Sequence, residues 1–290
     1  MVLCGLSAFA LYGLQGEGRQ GIWGIAALLA GFGLLLSLTG IVALTAAMSG
    51  AGLGGVDRET LSIIVNETAI GGAWQVRMVA LATAFGASLF LNIRPAAMLA
   101  LVSFASAVAI ATLVWTGHAG ASEGMTGHVH RVSDIVHMLA AAIWIGGIAA
   151  FIRMLLKSGL SQSPERLVVA HRALDRFSRV GTVAVVLIAG TGLINGQILW
   201  IGVNRVDGLL TTPYGLLLSL KLVLFAGMLG LAAINRWRLT PALATALSKG
   251  DPMEAVTSLR RSLALEAGAA LSILALVAWL GMLEPLASMS

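Results

Sequence analysis

The chain has 290 residues, of which 58% are hydrophobic and only 11% are charged, and its mean hydropathy is +0.92. Soluble domains carry about 25% charged residues, so this composition excludes an ordinary water-soluble protein. The formal charge of +5 comes from basic residues in short loops between apolar segments, which indicates membrane orientation and no nucleic-acid partner. The single cysteine, Cys4, excludes an internal disulfide and an iron–sulfur cluster.

Eight apolar segments follow one another, most of them long enough to cross a bilayer as a helix. Because the apolar runs do not alternate with polar residues, they predict helices and exclude a barrel. The first segment is short for a full crossing. The predicted spans are residues 1–14, 22–48, 74–93, 95–117, 133–156, 179–201, 214–236 and 262–283. The sequence therefore predicts an all-α bundle of about eight transmembrane helices, forming a single integral membrane domain over residues 1–290.

The basic residues predict how this bundle is oriented. Thirteen of the eighteen Lys and Arg residues lie around odd-numbered loops, four lie around even-numbered loops, and Lys221 lies inside a span. By the positive-inside rule the odd loops are cytoplasmic and both termini face outward, which in a bacterium is the periplasm. Residues 164–179 mix apolar and basic residues and are predicted to form a helix on the inner membrane surface.

Four of the five histidines lie in one outward-facing stretch, residues 117–138. If a helix begins near His130, then His130, Asp134 and His137 are spaced i, i+4 and i+7 and share one face. Polar groups are costly in membranes, so this stripe is a candidate metal site. A Gly-rich loop places His118 or His128 within reach of it.

Methionines near the same membrane surface favour copper at this site. Imidazole suits copper, zinc, nickel and iron, whereas thioether sulfur selects Cu(I). Met125 and Met48 are therefore predicted to be further ligands, with ordinary helix packing as the alternative for each.

Three other polar residues are predicted to support the site: Lys221, Glu67 and Glu266. Lys221 lies at the depth expected for His137, and Asp134 is its candidate partner. Glu266 lies too near the inner end of the last span to reach Lys221. Its expected partners are Arg260, Arg261 or backbone donors.

Three runs of residues resemble the copper resistance protein D (CopD/PcoD) family of bacterial inner-membrane proteins. They are HMLAAAIWIGGIAAF after Asp134, RFSRVGTVAVVLIAGTGLING, and TTPYGLLLSLKLVLFAGMLGLAAINRWRLTPAL followed by LRRSLALE. The similarity runs from about residue 20 to the end and is clearest over residues 118–285.

The resemblance implies an eight-helix, multi-pass inner-membrane protein of copper homeostasis that works with a periplasmic CopC-like copper carrier. Carried over by motif, the family's histidine and aspartate at the head of the Trp-Gly-Gly helix fall on His130, Asp134 and His137. Its TPYG and Lys fall on Pro213, Tyr214 and Lys221, and its NR pair falls on Asn235 and Arg236.

Two functions from different classes follow from these residues. The first is a copper permease that binds Cu(I) or Cu(II) at the outer site and moves it toward the cytoplasm. The second is a b-type membrane cytochrome, in which His118 and His137 hold haem. Nothing resembles a catalytic triad or an HExxH motif, so an enzyme is not expected, and a structural scaffold is the remaining alternative.

Overall fold

The computed structural model describes residues 1–14, 22–50, 52–117, 124–156, 164–200 and 211–283. Within these ranges ten α-helices and no strand are present, which confirms the predicted all-α fold class. In chain order they are α1 Val2–Tyr12, α2 Trp23–Ser49, α3 Arg58–Glu67, α4 Ala69–Leu89, α5 Pro95–Ala111, α6 Gly124–Leu156, α7 Pro164–Trp200, α8 Pro213–Ile234, α9 Thr240–Lys249 and α10 Met253–Leu280. A 3-10 turn, Thr112–Thr116, follows α5, and a π-helical turn, Asn235–Leu239, joins α8 to α9.

Six helical segments in these ranges are long and apolar enough to cross a membrane. They are Gly24–Ser49, Pro95–Thr116, Gly124–Leu155, Val168–Gln197, Pro213–Lys249 and Met253–Leu280. The other two predicted spans correspond to α1, which has only 11 residues, and to α4, which has 21. The count of eight spans and the outward-facing termini therefore stay predictions.

Large apolar side chains cover the outside of these helices. Leu28, Phe32 and Leu35 on α2 are each more than half exposed, as are Leu222 and Val223 on α8. Apolar surface on this scale is incompatible with water and is expected of helices that face lipid.

The starts of several helices follow local sequence signals. Pro95 and Pro213 occupy the first turns of α5 and α8, where the missing N–H has no intrahelical partner. Side-chain oxygens of Asp57, Thr68 and Thr212 accept hydrogen bonds from backbone N–H groups three residues later, at 2.7–3.0 Å. The cap at Asp57 begins α3, a helix that hydropathy alone did not predict.

The chain divides into two compact units, residues 1–146 and 147–290. The single membrane domain remains a prediction. In the first unit α4 packs between α2 and α5, and α1 packs on α5. Leu81 of α4, Ala109 of α5 and Leu34 of α2 meet in one apolar cluster.

Helices α1 and α6 approach each other closely in the first unit, at Gly5 and Gly146. A Cβ added at Gly5 would overlap the carbonyl oxygen of Ala142, and one added at Gly146 would overlap the Gly5 backbone. Neither position therefore accepts a side chain. This is the small-residue contact by which membrane helices gain van der Waals packing.

In the second unit α8 packs along α10, and α7 packs on α9. Tyr214 and Leu280 form a buried apolar pair between α8 and α10. Near the other end of the unit, the Phe151 and Phe177 rings meet edge to face with centroids 5.3 Å apart. A Cβ at Gly147 would overlap the Phe177 ring, so glycine leaves room for this aromatic contact.

Three predicted boundaries were wrong, each because a helix continues beyond its apolar part. The helix expected from 133 begins at Gly124, which has a positive φ of 64°. The expected surface helix over 164–179 is not separate: it forms one 37-residue helix, α7, with the next span. The last helix begins at Met253, nine residues before the apolar segment.

Candidate metal site

The predicted ligand stripe lies on a single helix. His130, Asp134 and His137 all belong to α6, a continuous helix of 33 residues. At about 100° per residue, the second and third positions lie roughly 40° and 20° from the first, on opposite sides of it. The three side chains therefore leave the helix within an arc of about 60°, which confirms that they share one face.

His130 is buried, with only 3% of its surface exposed, whereas Asp134 and His137 are half-buried. Buried imidazole and carboxylate groups require hydrogen-bond or metal partners. The chemistry of this face, two imidazoles and one carboxylate, suits a first-row transition metal.

His128 and Met125 belong to the first turns of the same helix, not to a flexible loop as expected for His128. His128 is exposed, and because it lies two residues before His130 it leaves the helix about 200° away from it. Its Nδ1 lies 3.4 Å from an Arg131 Nη2 nitrogen. Met125 is 79% exposed. Their role as ligands stays a prediction.

The other methionines near the stripe differ in environment. Met48, near the end of α2, is 58% exposed. Met138 follows His137 directly and packs against the buried cluster of Cys4, Ile110 and Ala142. Met138 thus has a packing role in the first unit.

His118 lies outside the described residues, so its distance from the stripe stays a prediction. The described chain reaches Gly117 before it and resumes at Gly124 after it. Within the described ranges, no three His, Cys, Asp or Glu side chains come together as a metal cluster.

No structural role was predicted for Arg77, although it is the only basic residue in its span. Its Nε donates to Thr112 Oγ1 at 3.0 Å, and its Nη2 donates to the Thr112 carbonyl at 3.1 Å. Thr112 begins the 3-10 turn that ends α5, so Arg77 fixes the last described residues before His118. An arginine within an apolar run was the sequence signal for this contact.

Glu67 lies at the end of α3 and is exposed. The neighbouring Asn66 is held by Ser62 and Gln75, at 3.2 and 3.5 Å. At the start of the same helix, hydrogen bonds from the Thr60 backbone and hydroxyl lower the pKa of Asp57. Glu67 as a supporting residue stays a prediction.

Of the supporting residues in the second unit, Lys221 is half-buried on α8. Its pairing with Asp134 stays a prediction. Glu266, on α10, is 3% exposed. The expected partners of Glu266 were wrong: its Oε1 accepts a 2.6 Å hydrogen bond from Asn235 Nδ2, the first residue of the π turn.

Arg260, one of the two arginines expected near Glu266, has another partner, and so does Arg236 of the π turn. Arg260 donates to the carbonyl oxygen of Leu155. Arg236 donates to the Ser178 carbonyl at 3.1 Å and to the Thr182 hydroxyl. Both guanidinium groups thus bind backbone carbonyls of neighbouring helices within the second unit.

Two family profiles match the chain. The family described as "Copper resistance protein D-like, N-terminal domain" matches residues 1–128, and the family described as "Copper resistance protein D" matches residues 171–280. The stripe of His130, Asp134 and His137 lies between the two matched segments.

Three known proteins are similar to the chain. Copper resistance protein D of Pseudomonas syringae pv. tomato is 40% identical over 291 residues, covering 98% of this chain and 93% of that protein. Inner membrane protein YebZ of Escherichia coli (strain K12) is 29% identical over 212 residues, covering 72% of this chain and 68% of that protein.

Copper transport protein CutJ of Bacillus subtilis (strain 168) is 37% identical over 121 residues, which are 42% of this chain and 21% of that protein. No solved structure matches the chain.

Proposed function

The chain belongs to the copper resistance protein D family, and we propose that it takes up copper across the bacterial inner membrane toward the cytoplasm. It is a multi-pass inner-membrane protein, as its apolar helices and its relatives indicate. Relatives named for copper resistance and copper transport support a transporter or metal-binding protein, not an enzyme.

The observation that carries the proposal is the shared face of His130, Asp134 and His137 on one continuous helix. We assign copper capture to this face, at the periplasmic end of α6, with His118 as a fourth ligand. Met125, Met48 and His128 are proposed as weaker contacts that accept the ion before it reaches the buried His130.

A periplasmic CopC-like carrier is the proposed donor of the ion. Two imidazoles and a carboxylate bind copper in either oxidation state, because imidazole is a borderline ligand for Cu(I) and Cu(II). Binding must be strong enough to capture the ion from the carrier and weak enough to release it inward.

The test measures the copper content of bacterial cells that express the wild type or a variant. Expression of the wild type is expected to raise cellular copper above that of cells with the empty vector. The triple variant His130→Ala, Asp134→Ala, His137→Ala is expected to return it to the vector value.

The matched control is His171→Ala, which removes a histidine of α7 outside the assigned site and is expected to retain the uptake. If the triple variant accumulates as much copper as the wild type, the assigned face is wrong. If the wild type lowers cellular copper, the assigned direction is wrong.

A further inference from the structure

A buried carboxyl group stands apart from the histidine stripe. Glu266 lies in α10, one of the six helices able to cross a membrane, and only 3% of its surface is exposed. An ionised carboxylate in such surroundings loses its hydration and needs a compensating positive charge.

The hydrogen-bond partner of the Glu266 carboxyl group is a neutral amide and not a positively charged side chain. Asn235 Nδ2 donates to Glu266 Oε1 at 2.6 Å, and Asn235 is itself only 7% exposed. Among the described residues this is the one polar partner recorded for the carboxyl group. A neutral amide contributes one hydrogen bond and no charge.

The basic residues of the elements packed against α10 do not compensate Glu266. Lys221 on α8 is 14 residues before Asn235, about 21 Å along the helix. On the π turn Arg236 binds Ser178 and Thr182, and the side chains of Arg238 and of Lys249, at the end of α9, are exposed. On α10 itself Arg260 binds the Leu155 carbonyl, Arg261 is exposed, and Glu254 lies exposed in the first turn.

The buried oxygens without a hydrogen-bond partner in the described structure include Asn235 Oδ1, which belongs to this pair, and Ser262 Oγ, on the same helix as Glu266. Asn235 Oδ1 is an acceptor, and it is bonded to the same carbon as the nitrogen that binds Glu266. An ionised carboxylate only accepts, so it cannot satisfy this oxygen. A protonated carboxyl group carries the missing donor.

Protonation completes the contact in both directions. In the neutral acid, Oε1 still accepts from Asn235 Nδ2, and the new O–H on Oε2 donates to Asn235 Oδ1. The acid and the amide then form a cyclic pair with two hydrogen bonds, and no charge remains in the apolar interior. Ser262 lies four residues before Glu266 on the same helix. Its hydroxyl is therefore about one helical turn nearer than Glu266 to the end of the helix that carries Arg260 and Arg261.

We propose that Glu266 and Asn235 form a proton-binding site, which exchanges its proton through Ser262 with the cytoplasmic end of the bundle. Proton uptake forms an O–H bond on Glu266 and neutralises the carboxylate, and proton release to water restores it, with no change in oxidation state. As the coupling site for copper movement it rests on the function proposed above, whereas the protonation itself does not.

The first test detects the proton bound to Glu266 by infrared spectroscopy of the purified protein at neutral pH. The wild type is expected to show the C=O stretch of a buried protonated carboxyl group, with a small shift in D2O. Glu266→Gln is expected to lose this band. Glu254→Gln, which removes an exposed carboxyl from the first turn of the same helix, is expected to keep it.

A second variant tests whether the protonated carboxyl group is the one that accepts a hydrogen bond from Asn235. Asn235→Leu removes the donor to Oε1, so the band is expected to move to higher frequency. Absence of the band in the folded wild type, or its persistence unchanged in Glu266→Gln, would overturn the proposal.

A further experiment measures copper transport in proteoliposomes in which the pH on the cytoplasmic face is varied. The wild-type rate of copper uptake is expected to change several-fold with that pH, and the rate of Glu266→Gln is expected to be independent of it. A wild type that moves no copper but shows the band contradicts the proposed function alone. Copper uptake by a wild type without the band contradicts the proton site alone.

Discussion

The Arg77 guanidinium donates two hydrogen bonds to Thr112, from Nε to the hydroxyl at 3.0 Å and from Nη2 to the backbone carbonyl at 3.1 Å. The two residues are 35 positions apart, on α4 and on the turn that ends α5. The Nη2 bond adds a charged donor to the carbonyl of the residue that begins the 3-10 turn. It therefore fixes where the chain leaves α5 toward His118.

Arg77→Met keeps the length and apolar stem of the side chain but removes both hydrogen bonds. Because a bond from a charged donor is worth about 1.5–3 kcal/mol, and less within membranes, we expect a loss of about 1–3 kcal/mol in the free energy of unfolding. Thermal unfolding in detergent measures the loss. We also expect weaker copper binding, since His118 follows this turn.

The control for Arg77 is Arg94→Met, at the opposite end of α5, where Arg94 is exposed and its side chain makes no capping hydrogen bond. This variant is expected to match the wild type in stability and in copper binding. Equal effects of the two substitutions would show that the contact with Thr112 has no special role.

The α1–α6 contact predicts opposite effects for two glycine substitutions. Gly5→Ala places a Cβ against the carbonyl oxygen of Ala142, so we expect it to cost about 1–3 kcal/mol as the helices separate. Gly40→Ala, on α2, meets nothing within 4 Å and is expected to be neutral or to stabilise through helix propensity. Thermal unfolding of the two variants decides, and a stable Gly5→Ala would contradict the contact.

Orientation is tested with single cysteines placed on a Cys4→Ser background. Glu59→Cys on α3 and Asp251→Cys before α10 are both exposed positions. A thiol reagent that cannot cross membranes is expected to label Glu59→Cys in intact spheroplasts, and Asp251→Cys only after the membrane is broken. The reverse pattern would invert the assigned topology.

The helical fold was predictable because apolar runs of about 20 residues have few alternatives in lipid. The common face of His130, Asp134 and His137 was predictable for a similar reason, since the helical repeat fixes it once a helix is assumed. Helix ends were less predictable. Gly124 and Met253 begin helices outside the apolar segments. Hydropathy shows which residues suit lipid, whereas backbone hydrogen bonding sets where a helix begins and ends.

Contacts between helices could not be derived from spacing. Asn235 and Glu266 are 31 residues apart, and only the packing of the π turn against α10 brings them together. The packing of glycines shows the same limit: a Cβ at Gly40 would meet nothing within 4 Å, whereas one at Gly5 or Gly146 would overlap a neighbouring backbone.

The most direct measurement is the visible absorption spectrum and metal content of the protein purified in detergent, beside the His130→Ala, Asp134→Ala, His137→Ala variant. We expect the wild type to show no Soret band and to retain copper, and the variant, folded as judged by gel filtration, to lose the copper. A Soret band that depends on these histidines would favour the cytochrome. Copper content unaffected by the three substitutions would contradict the assigned copper site.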